Sequence, residues 1–195
     1  MMAVLKILIV EHEVGRLAPL KAALGSQGHE VRAAESASLL HDQVLHFEPD
    51  VVIVGVDSPD RDTLEGICVM NQDCPRPVVM FSDDGDPQKI RAAIQAGVVS
   101  YVVSGMDAAR IRPVLDVAIA QFQAYQALHE NLAGVRRELA ENRLIDQAKA
   151  RLMRELGLSE PEAYHRMRRH AMKHQEKIAQ VAERIAKTKR LDFLG

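Results

Sequence analysis

The amino-acid sequence predicts an α/β domain built on a doubly wound five-stranded parallel sheet, followed by a coiled-coil helix and a small three-helix all-α module. Three observations carry this prediction. Short apolar runs alternate with helix-patterned stretches five times over roughly the first 120 residues, on the spacing of β–α units. The apolar rhythm then changes to a heptad. Behind the heptad the charge changes sign: residues 1–120 hold 10 Lys and Arg against 17 Asp and Glu, whereas residues 147–195 hold 12 against 6. The domain boundaries follow these changes, at 1–120, 121–141 and 142–195.

Taken in order, residues 5–10 (LKILIV) suit a buried strand. Leu17, Leu20, Ala23 and Leu24 fall at helical spacing within 14–27, and Gly28 stops that helix. Residues 29–33 form a second strand, and Ser36 caps a helix that runs to Phe47. Residues 51–56 (VVIVGV) are a continuous β-branched run of the kind found in central parallel strands. A helix over 63–71 follows, Pro77 opens the fourth strand, and 87–96 is helical with Gly97 at its end. Residues 100–104 (SYVVS) make the fifth strand, and Asp107 caps the next helix. In such sheets function sits at the carboxyl ends of the strands. The residues there are Glu11, His12 and Glu13, the stretch 55–59, Ser82, and Tyr101 with Ser104.

This pattern resembles a response-regulator receiver domain over residues 5–120. The resemblance implies an acidic pair after strand one that holds Mg²⁺ and a phosphate-accepting Asp four residues before a Pro. It also implies a Ser or Thr after strand four, and a Lys three residues after an aromatic in strand five. Pro59, Ser82 and Tyr101 match, but Gly55 stands at the acceptor position, Ser104 at the Lys position, and the acidic pair is Glu11 with His12. Aspartyl phosphorylation needs a carboxylate nucleophile, a bridging metal and a cation to neutralise the transferred group. Gly55 has no side chain to modify. The expectation is therefore a pseudo-receiver that needs no cofactor and no metal. Asp57 is the nearest substitute acceptor. It falls roughly 6–7 Å further along, and is expected in the loop, away from Ser82, with the acids of this mouth solvated.

Composition sets the setting. Cys68 and Cys74 are in no CxxC spacing, which argues for a reducing cytosol and against a disulfide framework or zinc site. No stretch reaches the ~20 apolar residues of a membrane span, and the N-terminal run is too short for a signal peptide. A cytoplasmic protein with no membrane partner is expected.

From residue 121 the apolar positions Tyr125, Leu128, Leu132, Val135 and Leu139 are spaced 3, 4, 3 and 4, and Asn142 continues them as a polar position. Gly134 interrupts the run, at about 1 kcal/mol relative to Ala. Two readings suit this seam: an amphipathic helix packed back on its own domain, or a parallel homodimer with Asn142 fixing the register. The expectation is the dimer.

The seam helix continues through Ile145, Ala148, Leu152, Met153 and Leu156 and stops at Gly157. Ser159 and Glu162 form a capping box with Pro161 in the first turn. The second helix places Ala163, Met167, His170 and Ala171 inward; the third does so with Ile178, Val181, Ala182 and Ile185. Ala148-Lys149, Leu152-Met153 with Arg154 and Gly157, Glu162-Ala163-Tyr164, Arg168-Arg169, Ala171-Met172 and Val181-Ala182 together resemble an ANTAR domain, an RNA-binding antitermination module. The resemblance implies binding to hairpins in leader mRNA and no catalysis. RNA loops are read by stacking and edge contacts while cations hold the phosphates. The candidate contacts are Lys149, Arg151, Arg154, Arg168, Arg169 and Lys173 for phosphates and Tyr164 for stacking. Ala148 joins them because its small size would let a base or phosphate approach the helix. Tyr164 can equally be a core aromatic, and Arg151 can simply pair with Glu155. The whole arrangement resembles the NasT-type nitrate-assimilation antiterminators, in which a nitrate-binding sensor protein restrains the regulator. A phosphorylation-gated regulator with an unorthodox acceptor and a protein-interaction adaptor are the alternatives.

Overall fold

The computed structural model describes residues 4–11, 13–34, 40–103 and 108–188. The expected caps Ser36 and Asp107 lie outside them. Five strands, β1 (Lys6–Glu11), β2 (Glu30–Ala34), β3 (Val51–Val56), β4 (Val78–Ser82) and β5 (Ser100–Val103), form one parallel sheet in the order β2-β1-β3-β4-β5. Between and after them run α1 (Val14–Ser26), α2 (Leu40–Phe47), α3 (Arg61–Asp73), α4 (Pro87–Ala96) and α5 (Ala108–Leu156). Two more helices follow, α6 (Glu160–His174) and α7 (Ile178–Lys187). The fold is the five-stranded receiver-like sheet, long helix and short helices that the sequence predicts.

Strand periodicity divides the core in two. Successive side chains of a strand point to opposite faces. Leu8, Val10, Val52, Val54, Val78 and Met80 pack on one face with Leu40 and Val44 of α2, Ile67 and Met70 of α3 and Ala93 of α4. Ile7, Ile9, Val51, Ile53, Val79 and Phe81 pack on the other with Leu20 and Leu24 of α1 and Ile111, Leu115 and Ala118 of α5. Both faces are covered, which is why the central strands read as unbroken apolar runs and not as alternation.

The chain divides into two compact units, Met1–Gln126 and Ala127–Gly195. In the second, Ala148 and Leu152 of α5, Ala163, Met167 and Ala171 of α6, and Val181, Ala182 and Ile185 of α7 form a separate core. Gly157 adopts φ 68° immediately after α5, the left-handed conformation that ends a helix without a side-chain penalty. The expected capping box of Ser159 and Glu162 opens α6, and the Glu162 carboxylate accepts the Ser159 backbone N–H at 2.8 Å and its hydroxyl at 2.6 Å.

A second left-handed glycine braces the first unit. Gly97 ends α4 at φ 106°, and a Cβ there would overlap the Asn71 side-chain amide. That amide donates to the Ala96 carbonyl at 3.1 Å, tying α3 to the end of α4. Gly97→Ala is expected to lower the stability of this unit by about 2 kcal/mol through backbone strain and displacement of Asn71. Urea unfolding read by circular dichroism checks this, with Gly25→Ala, where a Cβ within α1 meets nothing and the exchange is expected not to destabilise, as the comparison.

Candidate functional site

The carboxyl ends of the strands converge on a cleft of about 510 Å³ lined by Glu11, Arg16, Gly55, Asp57 and Ser58 among others. Sheet register sets the neighbours: Gly55 lies between Glu11 and Phe81, and Val56 pairs with Ser82. The acceptor position therefore presents backbone alone. Ser82 is buried, and its hydroxyl donates to the Asp57 carbonyl at 2.9 Å while accepting the Asp84 backbone N–H at 3.2 Å. This corrects the expectation that Asp57 lies away from Ser82. The β3–α3 loop folds back over the end of β4, and only the Asp57 carboxylate is turned elsewhere.

That carboxylate is held by Arg16, a residue the sequence reading passed over. The guanidinium reaches Glu13 at 2.5 Å, Asp83 at 3.5 Å and Glu11 at 3.8 Å, and hydrogen-bonds Asp57. These contacts, with the Asp57 bond first, raise the Arg16 pKa above its ordinary value. The acids of the mouth thus share one cation: Glu13, Asp57 and Asp83 stay largely exposed, as expected of solvated charge, and Glu11 is buried. The available signal was spacing: Arg16 follows Glu13 by three residues at the start of α1, one helical turn away.

Beside Ser58 of the cleft, Lys89 of α4 pairs with Asp84 at 2.8 Å, and Ser58 donates to the same carboxylate at 2.8 Å. The hydrogen bond from Lys89, then those from the Asp86 backbone and Ser58, hold Asp84 down to about 2. Tyr101 is half-buried and donates its hydroxyl to the Asp84 carbonyl at 2.8 Å. His12 and Ser104 lie outside the described residues.

In the second unit the candidate cations fall into two groups. On the last turns of α5 they are engaged with protein. Lys149 is half-buried between Asp146 at 2.8 Å and Glu160 at 2.7 Å, which raise its pKa. Arg151 pairs with Glu155 at 2.8 Å and donates to the Ile185 carbonyl near the end of α7, so it joins two helices. Arg154 is exposed, 3.7 Å from Glu155. On α6, by contrast, Arg168, Arg169 and Lys173 are exposed and make no ion pair among the described residues. Tyr164 is 42% exposed, so it is not a core aromatic. Tyr164, Arg168 and Met172 are four residues apart, as are His165, Arg169 and Lys173, which places two adjacent exposed rows on this helix. His165 was not singled out in the sequence, and Met172 was named only as part of the ANTAR pattern; their spacing of four from Arg169 and Arg168 was the signal.

Ala148 requires a correction. It is fully buried in the three-helix core, so nothing approaches the helix through it. Its smallness admits the neighbouring helices, not a nucleotide.

Residues 7–116 match the response regulator receiver domain model, more than half of the chain. The chain belongs to that family. Residues 133–185 match the ANTAR domain model, so this receiver is joined to an ANTAR domain. Over 185 residues, 94% of this chain and 90% of the relative, it is 26% identical to the transcriptional regulatory protein PdtaR of Mycobacterium tuberculosis (strain ATCC 25618 / H37Rv). The receiver fold is also that of CheY4 from Vibrio cholerae, with TM-score 0.54 and 18% identity over 60% of this chain and 99% of that one. NtrX from Brucella abortus gives TM-score 0.56 at 21% identity over 75% of this chain and 35% of that one. Among the described residues no helix is long and apolar enough to cross a membrane.

The Mg²⁺ implied by the receiver resemblance does not fit the mouth as it stands. The Arg16 guanidinium lies among the acids that would take it, and Gly55 offers no carboxylate to share it. Among the described residues no three His, Cys, Asp or Glu side chains are placed to hold a metal together.

One buried titratable group in the ANTAR domain sets a pH limit. His170 stacks beside His174 with ring centroids 4.3 Å apart and lies 3.5 Å from Glu176. Burial, then His174, pushes its pKa below the ordinary 6.5, against the opposing pull of Glu176. The unfolded chain then binds the proton more readily, so stability contributed here is present above about pH 6.5 and is lost as pH falls toward the folded value. His29 in the receiver is displaced in the same direction, chiefly by burial. Thermal unfolding between about pH 7.5 and 5.5 is therefore expected to show a falling midpoint, with a shallower slope in His170→Gln.

Proposed function

We propose that this receiver–ANTAR protein is an RNA-binding transcription antitermination regulator that binds hairpins in leader mRNA. The observation that carries the reading is the α6 surface: Arg168, Arg169 and Lys173 exposed beside an exposed Tyr164. Cations without protein partners are available to phosphates, and an exposed ring offers a stacking face. Lys149 and Arg151 act through the domain itself, holding α5 to α6 and α7, and Arg154 stands at the edge of the RNA surface.

The receiver works as a pseudo-receiver whose switch is a bound protein in place of a phosphoryl group. Gly55 at the acceptor position and the ties on Asp57 and Ser82 support this. Resemblance to NasT-type regulators supports a nitrate-binding sensor as that protein, nitrate assimilation as the setting and the cytoplasm as the place. The homodimer is supported by the seam: Tyr125, Leu128, Leu132, Val135 and Leu139 are each 45–65% exposed on α5. Such an apolar row at heptad spacing suits a second copy of the same helix over residues 121–141.

Filter binding with tandem leader hairpins tests the reading; equal affinity for scrambled stems overturns it. Arg168→Ala is expected to weaken binding roughly tenfold and to reduce the salt slope by about 0.7 to 1, the share of one phosphate contact. Incubation with acetyl phosphate and Mg²⁺ is expected to add no mass of about 80 Da to the intact chain. A stoichiometric adduct would restore the phosphorylation-gated reading.

A further inference from the structure

We propose that Arg16 is a tethered cation standing where a phosphorylated receiver keeps its metal ion, so that the chain neutralises its own acidic mouth. This rests on the reading that the receiver is not phosphorylated, and it names what takes the metal's place.

The four carboxylates around Arg16 come from three separate segments. Glu11 and Glu13 belong to the end of β1 and the turn after it, Asp57 to the β3–α3 loop, and Asp83 to the β4–α4 loop. A single planar fork with five donors can serve several acids at once, whereas a lysine ammonium is a point charge. Glu11 shows why a cation is required. Its side chain is 1% exposed. One oxygen accepts the Glu13 backbone N–H at 2.9 Å; the other has no hydrogen bond among the described residues and lies 3.8 Å from the Arg16 Nε. A buried carboxylate left without a cation is strongly destabilising.

Arg16 also excludes the ion it replaces. Mg²⁺ demands near-octahedral oxygens at about 2.0–2.1 Å. Carboxylates splayed around a guanidinium do not provide that shell, and the described acids do not form one. The consequence is a mouth fixed in one arrangement. Arg16 holds the Asp57 and Asp83 side chains while the Asp83 N–H and the Ser82 hydroxyl hold the Asp57 carbonyl, so both loops are tied by side chain and by backbone.

The experiment compares the full-length wild type with Arg16→Ala and Arg16→Gln, measuring Mn²⁺ binding by electron paramagnetic resonance and thermal midpoints with and without Mg²⁺. The wild-type midpoint is expected not to respond to Mg²⁺. The variants should melt lower, bind Mn²⁺ at least about tenfold more tightly than wild type, and recover a few degrees at a Mg²⁺ concentration well above its Kd. Wild-type Mn²⁺ affinity equal to that of the variants, or folded variants that ignore both cations, overturns the proposal. Should neither variant fold alone, folding restored by Mg²⁺ supports it and failure to fold with Mg²⁺ overturns it. The acetyl phosphate result on wild type stands apart: an adduct there sinks the pseudo-receiver reading, whatever the cation measurements give.

Discussion

A parallel sheet with both faces apolar has to be covered on both, and in this chain the second cover is α5. Ile111, Leu115 and Ala118 close the face that α1 begins to close with Leu20 and Leu24. The same helix later supplies Ala148 and Leu152 to the ANTAR core. One helix therefore belongs to two cores that share no side chain. The continuity is covalent and helical, so a change that unwinds α5 between residues 118 and 148 breaks the helical connection between the receiver's last helix and the ANTAR domain's first. Gly134 is the weakest residue for helix formation in that interval.

Charge is distributed by the same economy in both units. Where acids crowd, a basic residue from a neighbouring turn is drawn in: Arg16 among Glu11, Glu13, Asp57 and Asp83, Lys89 beside Asp84, and Lys149 between Asp146 and Glu160. The chain's net basic tail thus overstates what is available to a polyanion, because several of its cations are already committed. Among the described residues, what remains outward lies mainly on α6. Formal charge locates the domain with cations to offer a polyanion; ion pairing decides which helix of it offers them.

The sheet and the three-helix core were legible because burial writes a period into sequence. Residues 51–56 and 87–96 match β3 and α4 to the residue, and the inward rows of α6 and α7 fell where the 3.6-residue repeat put them. Gly157 was legible as a stop because left-handed backbone favours glycine. The mouth was less so. Gly55 and Pro59 could be read by position, but Arg16 acts through contacts with Asp57 and Asp83, 41 and 67 residues away, which no local period encodes. Asp57 was misplaced for a similar reason: its loop is held by a hydrogen bond from Ser82, not by continuation of the strand. Ala148 was misjudged because a small residue on a helix marks a close approach without saying what approaches.

Small residues at such close approaches decide how variants of this chain look in a genetic screen. Ala148, Ala163 and Ala182 are fully buried in the core where three short helices meet. Larger side chains there push the helices apart, and interior packing at near-crystal density leaves no slack to absorb them. On the function proposed above, such alleles score as loss of regulation beside those that strip Arg168 or Arg169 from the surface. The two groups separate by dominance: where the protein pairs through α5, a folded surface variant can poison a mixed dimer, whereas a chain whose ANTAR core has come apart is open to proteolysis and leaves the wild type to act alone.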